Sequence, residues 1–339
     1  MRRFMQILAL LLVAAILASP AWAANERRLG TSGAQELRIP VGTRGIALGS
    51  ATVSSSHGVE SIYYNPAGAG SMQGAEAFFS NTEYLADMKV RYFAIASRQY
   101  IGVFGLHAKV LDLGDLYVTT EDAPEGTGEV ESMTFAVVGL SYARYLTDAI
   151  GVGVTANYIN ESVLSTSANG IAFDLGLQYD AGRRGAKFGI VMKNVGPNMQ
   201  FSGSDFEYTL RLPGDDPQAA NRTVTAMSAE FELPSYFQLG GEIRAWEVGD
   251  NRVTACGTFQ SNNFSSDEWR GGVEYGFRDL LMVRGGYAYS DQDDYLYGPT
   301  FGAGVNLPLG GSRLSVDYAL QTIDSWFDDL HTFSAKFAF

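Results

Sequence analysis

Apolar and polar residues alternate along most of the chain beyond residue 72. From Phe333, every second residue of the closing sequence is apolar, and Ser334 and Lys336 lie between them. A strand with this period of two has one apolar face and one polar face. The same alternation recurs in LSVDYAL (314–320) and LMVRGGYAY (281–289). The chain is therefore predicted to be an all-β protein.

About fourteen such segments follow one another, each near the length of about 9–11 residues that a tilted membrane strand needs. Bacterial outer-membrane barrels of one chain have an even number of antiparallel strands. We therefore predict a transmembrane antiparallel β-barrel over 73–339. The predicted strands are 75–84, 89–98, 100–111, 132–145, 149–162, 169–180, 186–194, 234–247, 251–261, 268–277, 281–290, 297–307, 312–322 and 330–339.

The connections between these segments support the same architecture. Turns such as RQY, LTDA and RDL are short, whereas most of the alternate connections are longer. Short turns on one side and long loops on the other are typical of outer-membrane barrels. Long extracellular loops are predicted near 112–131 and 195–233, and both chain ends are predicted on the periplasmic side. The connection at 85–88 is short although it falls on the long-loop side.

A soluble β-sandwich would also alternate, but its aromatic residues need not gather near strand ends. Aromatic side chains prefer the two interfaces of a membrane, where they form girdles around a barrel. In this chain we assign the following aromatic residues to the strand ends: Tyr84, Tyr92, Tyr145, Tyr179, Trp269, Phe277 and Phe339.

The first residues have the pattern of an export signal. Arg2 and Arg3 precede an apolar run, and the small-x-small sequence Ala21-Trp22-Ala23 follows it. The run is shorter than the roughly 20 apolar residues of a spanning helix. A signal peptide is therefore predicted over 1–23, which agrees with an outer-membrane location in a Gram-negative bacterium.

Composition excludes several other classes of protein. The net charge is −13, and nucleic-acid binding needs a basic face. Charged residues make up 18% of the chain, below the usual value of about 25% for soluble domains. One cysteine cannot form an internal disulfide. These features favour a barrel that is stabilised by lipid.

The chain carries no recognisable catalytic or cofactor motif, so we expect neither enzymatic activity nor a cofactor. His57, His107 and His331 are far apart and lack metal-ligand spacing. Cys256 lies on the inward phase of its strand. The 112–131 loop carries seven acidic residues, and acidic groups also lie at 291–294 and 324–329. Such loops are either simply solvated or bind Ca²⁺, although none has EF-hand spacing.

The polar phase of the last strands carries charges of both signs. Facing lipid, an arginine at mid-depth would cost about 2–4 kcal/mol, so these side chains are predicted to point into the lumen. They form either a structural network or part of a substrate path, and the mixed signs favour the network. The residues are Glu242, Arg244, Arg270, Glu274, Arg284, Arg313, Asp317 and Lys336.

The segment 24–72 precedes the first strand and is rich in glycine. Its sequence IALGSATV is too apolar to stay in water, and the lumen of a fourteen-stranded barrel is either wet or plugged. We therefore predict that 24–72 is a hatch, or plug, inside the barrel.

The sequence PVGTRGIALGSATVSSSHGVESIYYNPAGAG (40–70) resembles the N-terminal signature of the PorV/PorQ family, a branch of the FadL-like outer-membrane barrels. The similarity continues in KNVGPNMQF, LPSYFQLGGEIR and EYGFRDLLMVRGGYAY. Relatives usually carry an acidic pair where this chain has SSSHG (54–58). The hatch motif consists of Gly42, Arg44, Gly49, Ala51, Tyr64, Asn65, Pro66, Ala67 and Gly68.

This resemblance implies an outer-membrane barrel that acts in transport or secretion. Secretion would make exported proteins or other secretion components its partners. FadL-like passive uptake of a hydrophobic small molecule is the alternative. Other expected partners are outer-membrane lipid and the barrel-assembly machinery, for which Phe333, Phe337 and Phe339 are interpreted as the recognition signal.

Overall fold

A computed structural model describes most of the chain beyond residue 27. The predicted signal peptide and the first residues of the predicted hatch lie outside the described residues. Those described are 28, 30–117, 119–128, 130–182, 185–210, 221–292, 295–323 and 327–339.

The described residues form a closed antiparallel barrel of fourteen strands, as predicted. Each strand pairs with the next along the wall, and the first pairs with the last through Glu76 and Ala338, so the barrel has no open edge. The wall strands are β1 (Ala75–Glu83), β2 (Lys89–Gln99), β3 (Gly102–Tyr117), β4 (Val130–Tyr145), β5 (Ile150–Val163), β6 (Thr166–Asp180), β7 (Lys187–Val195), β11 (Tyr236–Val248), β12 (Asn251–Asn262), β13 (Glu268–Phe277), β14 (Leu281–Ser290), β15 (Tyr297–Leu309), β16 (Ser312–Ile323) and β17 (Leu330–Ala338).

Three shorter strands lie in the 195–233 connection. β8 (Phe201–Gly203) pairs with the outer end of β6, while β9 (Glu207–Leu210) and β10 (Arg222–Thr225) form a hairpin of their own. This long connection therefore has ordered secondary structure.

Two wall strands are longer than the sequence predicts. β3 and β4 remain paired as far as Tyr117 and Val130, so part of the predicted 112–131 loop is an extended hairpin. A bulge between Asp112 and Asp115 interrupts the pairing. Acidic residues such as Asp112 and Glu131 interrupt the period of two in the sequence there, although backbone pairing itself needs no apolar face.

Large apolar side chains cover the outer surface of the wall. A solvated surface rarely carries apolar patches of this extent, but hydrocarbon accommodates them. No helix among the described residues is long and apolar enough to cross a membrane. The exposed side chains include Phe79, Phe93, Leu106, Leu140, Leu175, Phe188, Ile243, Val273, Val283, Phe301 and Phe333.

Three of the aromatic residues assigned to the membrane interfaces point inward instead, and one of them, Tyr145, lies beside Gly70 in the lumen. Tyr92 is 1% exposed and packs near Tyr63 and Phe78, whereas its neighbour Phe93 is 48% exposed. Tyr84 makes a hydrogen bond of 2.7 Å with Tyr297 across the outer mouth. Because the inner face of β2 also packs against apolar residues, position near a strand end does not decide the face.

Residues 30–72, here called the plug segment, lie inside the barrel and are mostly buried. They contain the helices α1 (Thr43–Ala47) and α2 (Ser61–Tyr64), together with 3₁₀ turns at Gln35–Arg38 and Pro66–Ser71. The largest core cluster joins apolar residues of this segment to the inner faces of β1–β4. The hydrophobic core of the molecule therefore lies between plug segment and wall.

Candidate functional site

Several glycines of the inner wall lie where the plug segment touches it. A Cβ added to Gly272 of β13 would lie 2.7 Å from the carbonyl oxygen of Leu48, and one on Gly286 of β14 would lie 2.3 Å from the backbone nitrogen of Gly49. Backbone therefore packs directly on backbone. Gly153 and Gly189 also lie against backbone of the plug segment, whereas side chains of the plug segment come nearest to Gly105, Gly176, Gly240 and Gly302.

The first half of the hatch motif shapes the chain around α1. Gly42 and Gly49 have φ of 78° and 63°, a left-handed conformation that favours glycine. A Cβ on Gly49 would also collide with the backbone of Tyr287. The hydroxyl of Tyr64 donates to the carbonyl oxygen of Val41 at 2.8 Å and so ties the two helices of the plug segment together.

Asn65 is the most connected residue of the Asn-Pro-Ala-Gly sequence. Its Nδ2 donates to the carbonyl oxygens of Val53, Leu177 and Ile190, and its Oδ1 accepts from the backbone nitrogen of Ala67. Pro66 begins the following 3₁₀ turn, where it needs no amide hydrogen. Ala67 and Gly68, the last two motif residues, are buried in that turn.

Ionic contacts join the plug segment to the wall on the periplasmic side of α1. Arg44 binds Glu274 at 3.1 Å, and Glu274 also binds Arg284 at 2.7 Å. Arg284 continues the chain of contacts to Asp317. A separate pair is formed by Lys336 of β17 and Glu60 of the plug segment, at 2.8 Å.

The remaining charged residues of the sequence hypothesis lie elsewhere. Arg270 binds Glu268 nearer the outer mouth, at 2.7 Å. Arg244 and Arg313 are exposed near the periplasmic ends of their strands, where Arg244 binds Glu247. Glu242 is half-buried. The eight residues therefore do not form one network.

The surroundings of Arg44 and His57 in the plug segment fix the charge of each side chain near neutral pH. Burial alone would lower the pKa of Arg44, but the carboxylates of Glu274 and Glu242 outweigh it and raise that pKa. Burial, together with the charges of Arg44 and Lys336, lowers the pKa of His57 to about 4. Arg44 is therefore charged and His57 neutral at pH 7.

Two lysines that the sequence analysis did not single out also hold the plug segment. Lys109 of β3 donates to the carbonyl oxygens of Glu36 and Ile39, and Lys193 of β7 donates to that of Tyr63. Both ammonium groups lie over the ring of Tyr63, at 4.9 and 3.9 Å from its centroid. The sequence could have indicated both lysines, because each lies on the inward-facing side of a strand that is otherwise largely apolar.

A cavity of about 470 Å³ lies on the outer side of the plug segment. Gly49, Ser50, Tyr63 and Tyr64 are among the residues of the plug segment that line it. Most of its wall is apolar or aromatic, and its charged side chains are Glu36, Arg38, Glu268 and Arg270. The apolar and aromatic lining includes Ile39, Met88, Leu111, Leu113, Phe135, Tyr236, Tyr295, Leu296 and Tyr297.

The wall beside this cavity is incompletely paired. Among the described residues, pairing between β14 and β15 ends at Gly286 and Thr300, although β14 continues to Ser290. A second cavity of about 490 Å³ lies at this gap. Tyr295 and Tyr297 line both cavities, so the gap adjoins the lumen. The second cavity is also lined by Tyr287, Tyr289, Ser290, Gly298, Pro299, Thr322 and Ile323.

The histidines and the cysteine that the sequence analysis considered lie on separate elements of the structure. His57 lies in the plug segment, His107 on β3 and His331 on β17, and Cys256 is partly buried on β12. No three His, Cys, Asp or Glu side chains in the described part of the chain could together hold a metal ion. Residues 129, 293, 294 and 324 of the acidic loops lie outside that part.

No protein-family model and no curated protein sequence matches the chain. Several solved structures share its fold at low sequence identity. The CymD monoaromatic hydrocarbon channel is 13% identical with a TM-score of 0.53, and the alignment covers 89% of this chain and 98% of that one. The Pseudomonas putida toluene transporter TodX is 14% identical with a TM-score of 0.54, covering 86% and 96%. A Pseudomonas aeruginosa FadL homologue is 12% identical with a TM-score of 0.54, covering 89% and 98%.

Proposed function

We propose that the chain is an outer-membrane barrel of a Gram-negative bacterium that lets a small apolar molecule cross the membrane passively. The observation that carries this proposal is the outer cavity, which is large enough for a small ligand and mostly apolar or aromatic. Pockets of this size and lining bind small molecules in many proteins.

The gap between β14 and β15 supports a route into the cavity from the membrane. Tyr289 is paired in register with Trp269 of β13, and both are about half exposed on the outer face. Aromatic residues at this level form the girdle at a membrane interface. A molecule dissolved in the outer part of the bilayer would therefore meet the gap, and Tyr295 and Tyr297 would separate it from the lumen.

The plug segment closes the periplasmic side of the cavity in this arrangement. Its ionic contacts and its backbone packing against wall glycines hold it in place. Passage of a molecule to the periplasm therefore requires the plug segment to shift. We propose that the plug segment acts as a hatch in this way.

The named activities of similar folds agree with an apolar cargo. Two of the solved structures are a monoaromatic hydrocarbon channel and a toluene transporter. The PorV/PorQ resemblance rests on the N-terminal signature and the later similar segments. Small-molecule uptake is therefore the better supported of the two functions.

The test is uptake of radiolabelled toluene by Gram-negative cells with an intact outer membrane, with and without the protein. At limiting toluene concentration, we expect faster uptake in cells that carry it. Uptake of glycerol serves as the control and should not change. Equal toluene uptake in both cell populations would contradict the proposal.

Protein secretion is a second candidate function because the β9–β10 hairpin exposes apolar side chains. Tyr208 is 55% exposed, and Met227 just beyond the hairpin is 85% exposed. Such residues could dock an exported protein or a secretion component. Affinity isolation from native outer membrane, with mass spectrometry of proteins and lipids, tests this candidate. Recovery of no exported protein, together with a bound apolar molecule, would contradict it.

Whether the protein serves uptake or secretion, we expect the barrel-assembly machinery to recognise its C-terminal strand. Phe333, Phe337 and Phe339 all present exposed rings on the lipid side. Phe339 also exchanges backbone hydrogen bonds with Ala75 at the seam where the barrel closes. Deletion of Phe339 is expected to slow assembly, measured as the fraction of heat-modifiable barrel on a gel.

A further inference from the structure

Two tyrosines meet inside the barrel beside the gap between β14 and β15. The hydroxyl oxygens of Tyr84 and Tyr297 lie 2.7 Å apart and share a hydrogen bond. Tyr84 follows β1 and Tyr297 begins β15, so β16 and β17 lie between them along the wall. Both side chains line the outer cavity, and Tyr297 also lines the second cavity at the gap. This hydrogen bond therefore joins the edge of the gap to a part of the wall two strands away.

The backbone at Tyr297 is paired on one side only. Tyr297 pairs with Ile323 of β16, and a bulge separates this pair from the regular pairing that resumes at Thr300. On the other side, pairing between β14 and β15 among the described residues ends at Gly286 and Thr300. Pro299 has no amide hydrogen to donate there. Because a strand end with one neighbour opens more easily than one with two, side-chain contacts decide where the Tyr297 ring lies.

Two side-chain contacts hold the ring of Tyr297. Its hydroxyl binds that of Tyr84, and its ring packs edge-on against the ring of Tyr295, with the centroids 5.8 Å apart. Tyr295 is itself anchored, because its hydroxyl donates to Glu268 at 3.1 Å and Arg270 binds the same carboxylate. The contact between the two hydroxyls is the only side-chain hydrogen bond of either Tyr84 or Tyr297 in the described part of the chain. Loss of one hydroxyl group therefore frees the Tyr297 ring on the side away from Tyr295.

We propose that the hydrogen bond between Tyr84 and Tyr297 is a latch that limits the entry of apolar molecules from the bilayer. With the latch closed, the ring of Tyr297 separates the gap from the outer cavity, and with the latch open it can turn aside. This inference rests on the proposed uptake function and assigns the residues that limit its rate. A hydrocarbon has no donor or acceptor to replace the bond, so the rate of entry follows the fraction of barrels with an open latch.

The test measures how fast 4-fluorotoluene exchanges between the bilayer and the outer cavity. The full protein in nanodiscs is studied by fluorine exchange NMR spectroscopy, with protein-free nanodiscs as the blank. Tyr84→Phe keeps the ring and removes the hydroxyl group. We expect about fivefold faster exchange in this variant, the factor that corresponds to one neutral hydrogen bond. The fraction of bound ligand should stay the same, because the latch changes the path into the cavity and not the cavity itself.

Further variants assign the effect to the shared hydrogen bond. Tyr297→Phe and the double variant each remove the same bond, so both should exchange as fast as Tyr84→Phe. Tyr158→Phe is the matched control. It removes a hydroxyl that donates to Asn169 at 2.7 Å on the wall between β5 and β6, and neither residue lines the two cavities, so the exchange rate should not change. Heat modifiability on a gel verifies that each barrel is folded.

The outcomes separate this inference from the proposed function. If 4-fluorotoluene binds but exchanges at the same rate in Tyr84→Phe and in the unmodified protein, the latch is overturned, while the binding still supports uptake of small apolar molecules. Increases that multiply in the double variant also overturn the latch, since the two hydroxyl groups would then act independently. Absence of bound 4-fluorotoluene in the unmodified protein contradicts the proposed function itself.

Discussion

Asn65 of the plug segment donates a hydrogen bond to the backbone carbonyl of Leu177 on β6, at 3.1 Å. The same Nδ2 group also reaches the carbonyl of Val53 within the plug segment, at 2.8 Å. One side-chain amide thus joins plug segment and wall through backbone atoms. This contact gives the Asn-Pro sequence a structural role that does not depend on the identity of the wall side chains.

Replacing Asn65 with alanine is expected to loosen the plug segment. The change leaves buried carbonyl oxygens without a donor, at a cost of about 1–3 kcal/mol. The rate of limited proteolysis of the plug segment in nanodiscs should rise. Asn198→Ala is the control, because Asn198 lies exposed on a loop, and it should leave the rate unchanged. Equal rates for the two variants would contradict this role.

Adding a side chain to the inner wall is expected to displace the plug segment. In Gly272→Val the new Cβ would meet the carbonyl oxygen of Leu48 at 2.7 Å. Single-channel conductance in planar bilayers should then rise. Gly271→Val is the matched control, since its Cβ points to the other face, where the nearest atom is the carbonyl oxygen of Cys256 at 3.9 Å. Unchanged conductance of Gly272→Val would show that the wall glycines are not needed for the plug segment to pack against the wall.

Stability should depend on pH through Glu36. Burial raises its pKa from 4.5 to about 8, so between these values the folded protein holds a proton that the unfolded chain has lost. The free energy of unfolding therefore falls as pH rises through this window, by about 1.4 kcal/mol for each unit of pH. Glu36→Gln should flatten this part of the profile of Tm against pH. A Glu36→Gln profile parallel to that of the unmodified protein would show that another group is responsible.

Removing the charge of Arg44 is expected to destabilise the plug segment strongly. Arg44→Met leaves Glu274 buried with only Arg284, and loss of one partner of a buried pair costs about 3–5 kcal/mol. The midpoint of denaturant unfolding should fall. Arg244→Met removes an exposed pair with Glu247 and should cost at most about 1 kcal/mol. Comparable losses in both variants would contradict the anchoring role of Arg44.

The wall of the barrel could be predicted because the membrane requires one apolar face on every strand. The ends of β3 and β4 could not be predicted, since acidic residues interrupt the alternation of the sequence there. Inward glycines such as Gly272 interrupt the alternation and give no sign of what they touch. Their meaning depends on the plug segment, which is distant in sequence.

The candidate site was only partly accessible to sequence reasoning. Asn65 and Arg44 were singled out by their motif, but Lys109 and Lys193 were not, although they lie on the inward phase. Glu36 gave no signal, because its burial beside Glu161 is a property of the folded chain. Pro299 could have indicated the gap beside β15 from the sequence, because proline has no amide hydrogen to donate to a neighbouring strand.

Filling the outer cavity with a bulky side chain tests whether an apolar molecule passes through it. Ala288 lines the cavity, whereas Ala303 is exposed on the lipid face of β15. Toluene uptake by intact cells is compared for Ala288→Trp and Ala303→Trp at equal amounts of folded barrel. We predict that Ala288→Trp lowers the uptake rate at least about tenfold, since a bulky ring occupies the ligand volume, and that Ala303→Trp leaves it unchanged. Undiminished uptake by Ala288→Trp would contradict passage through the cavity.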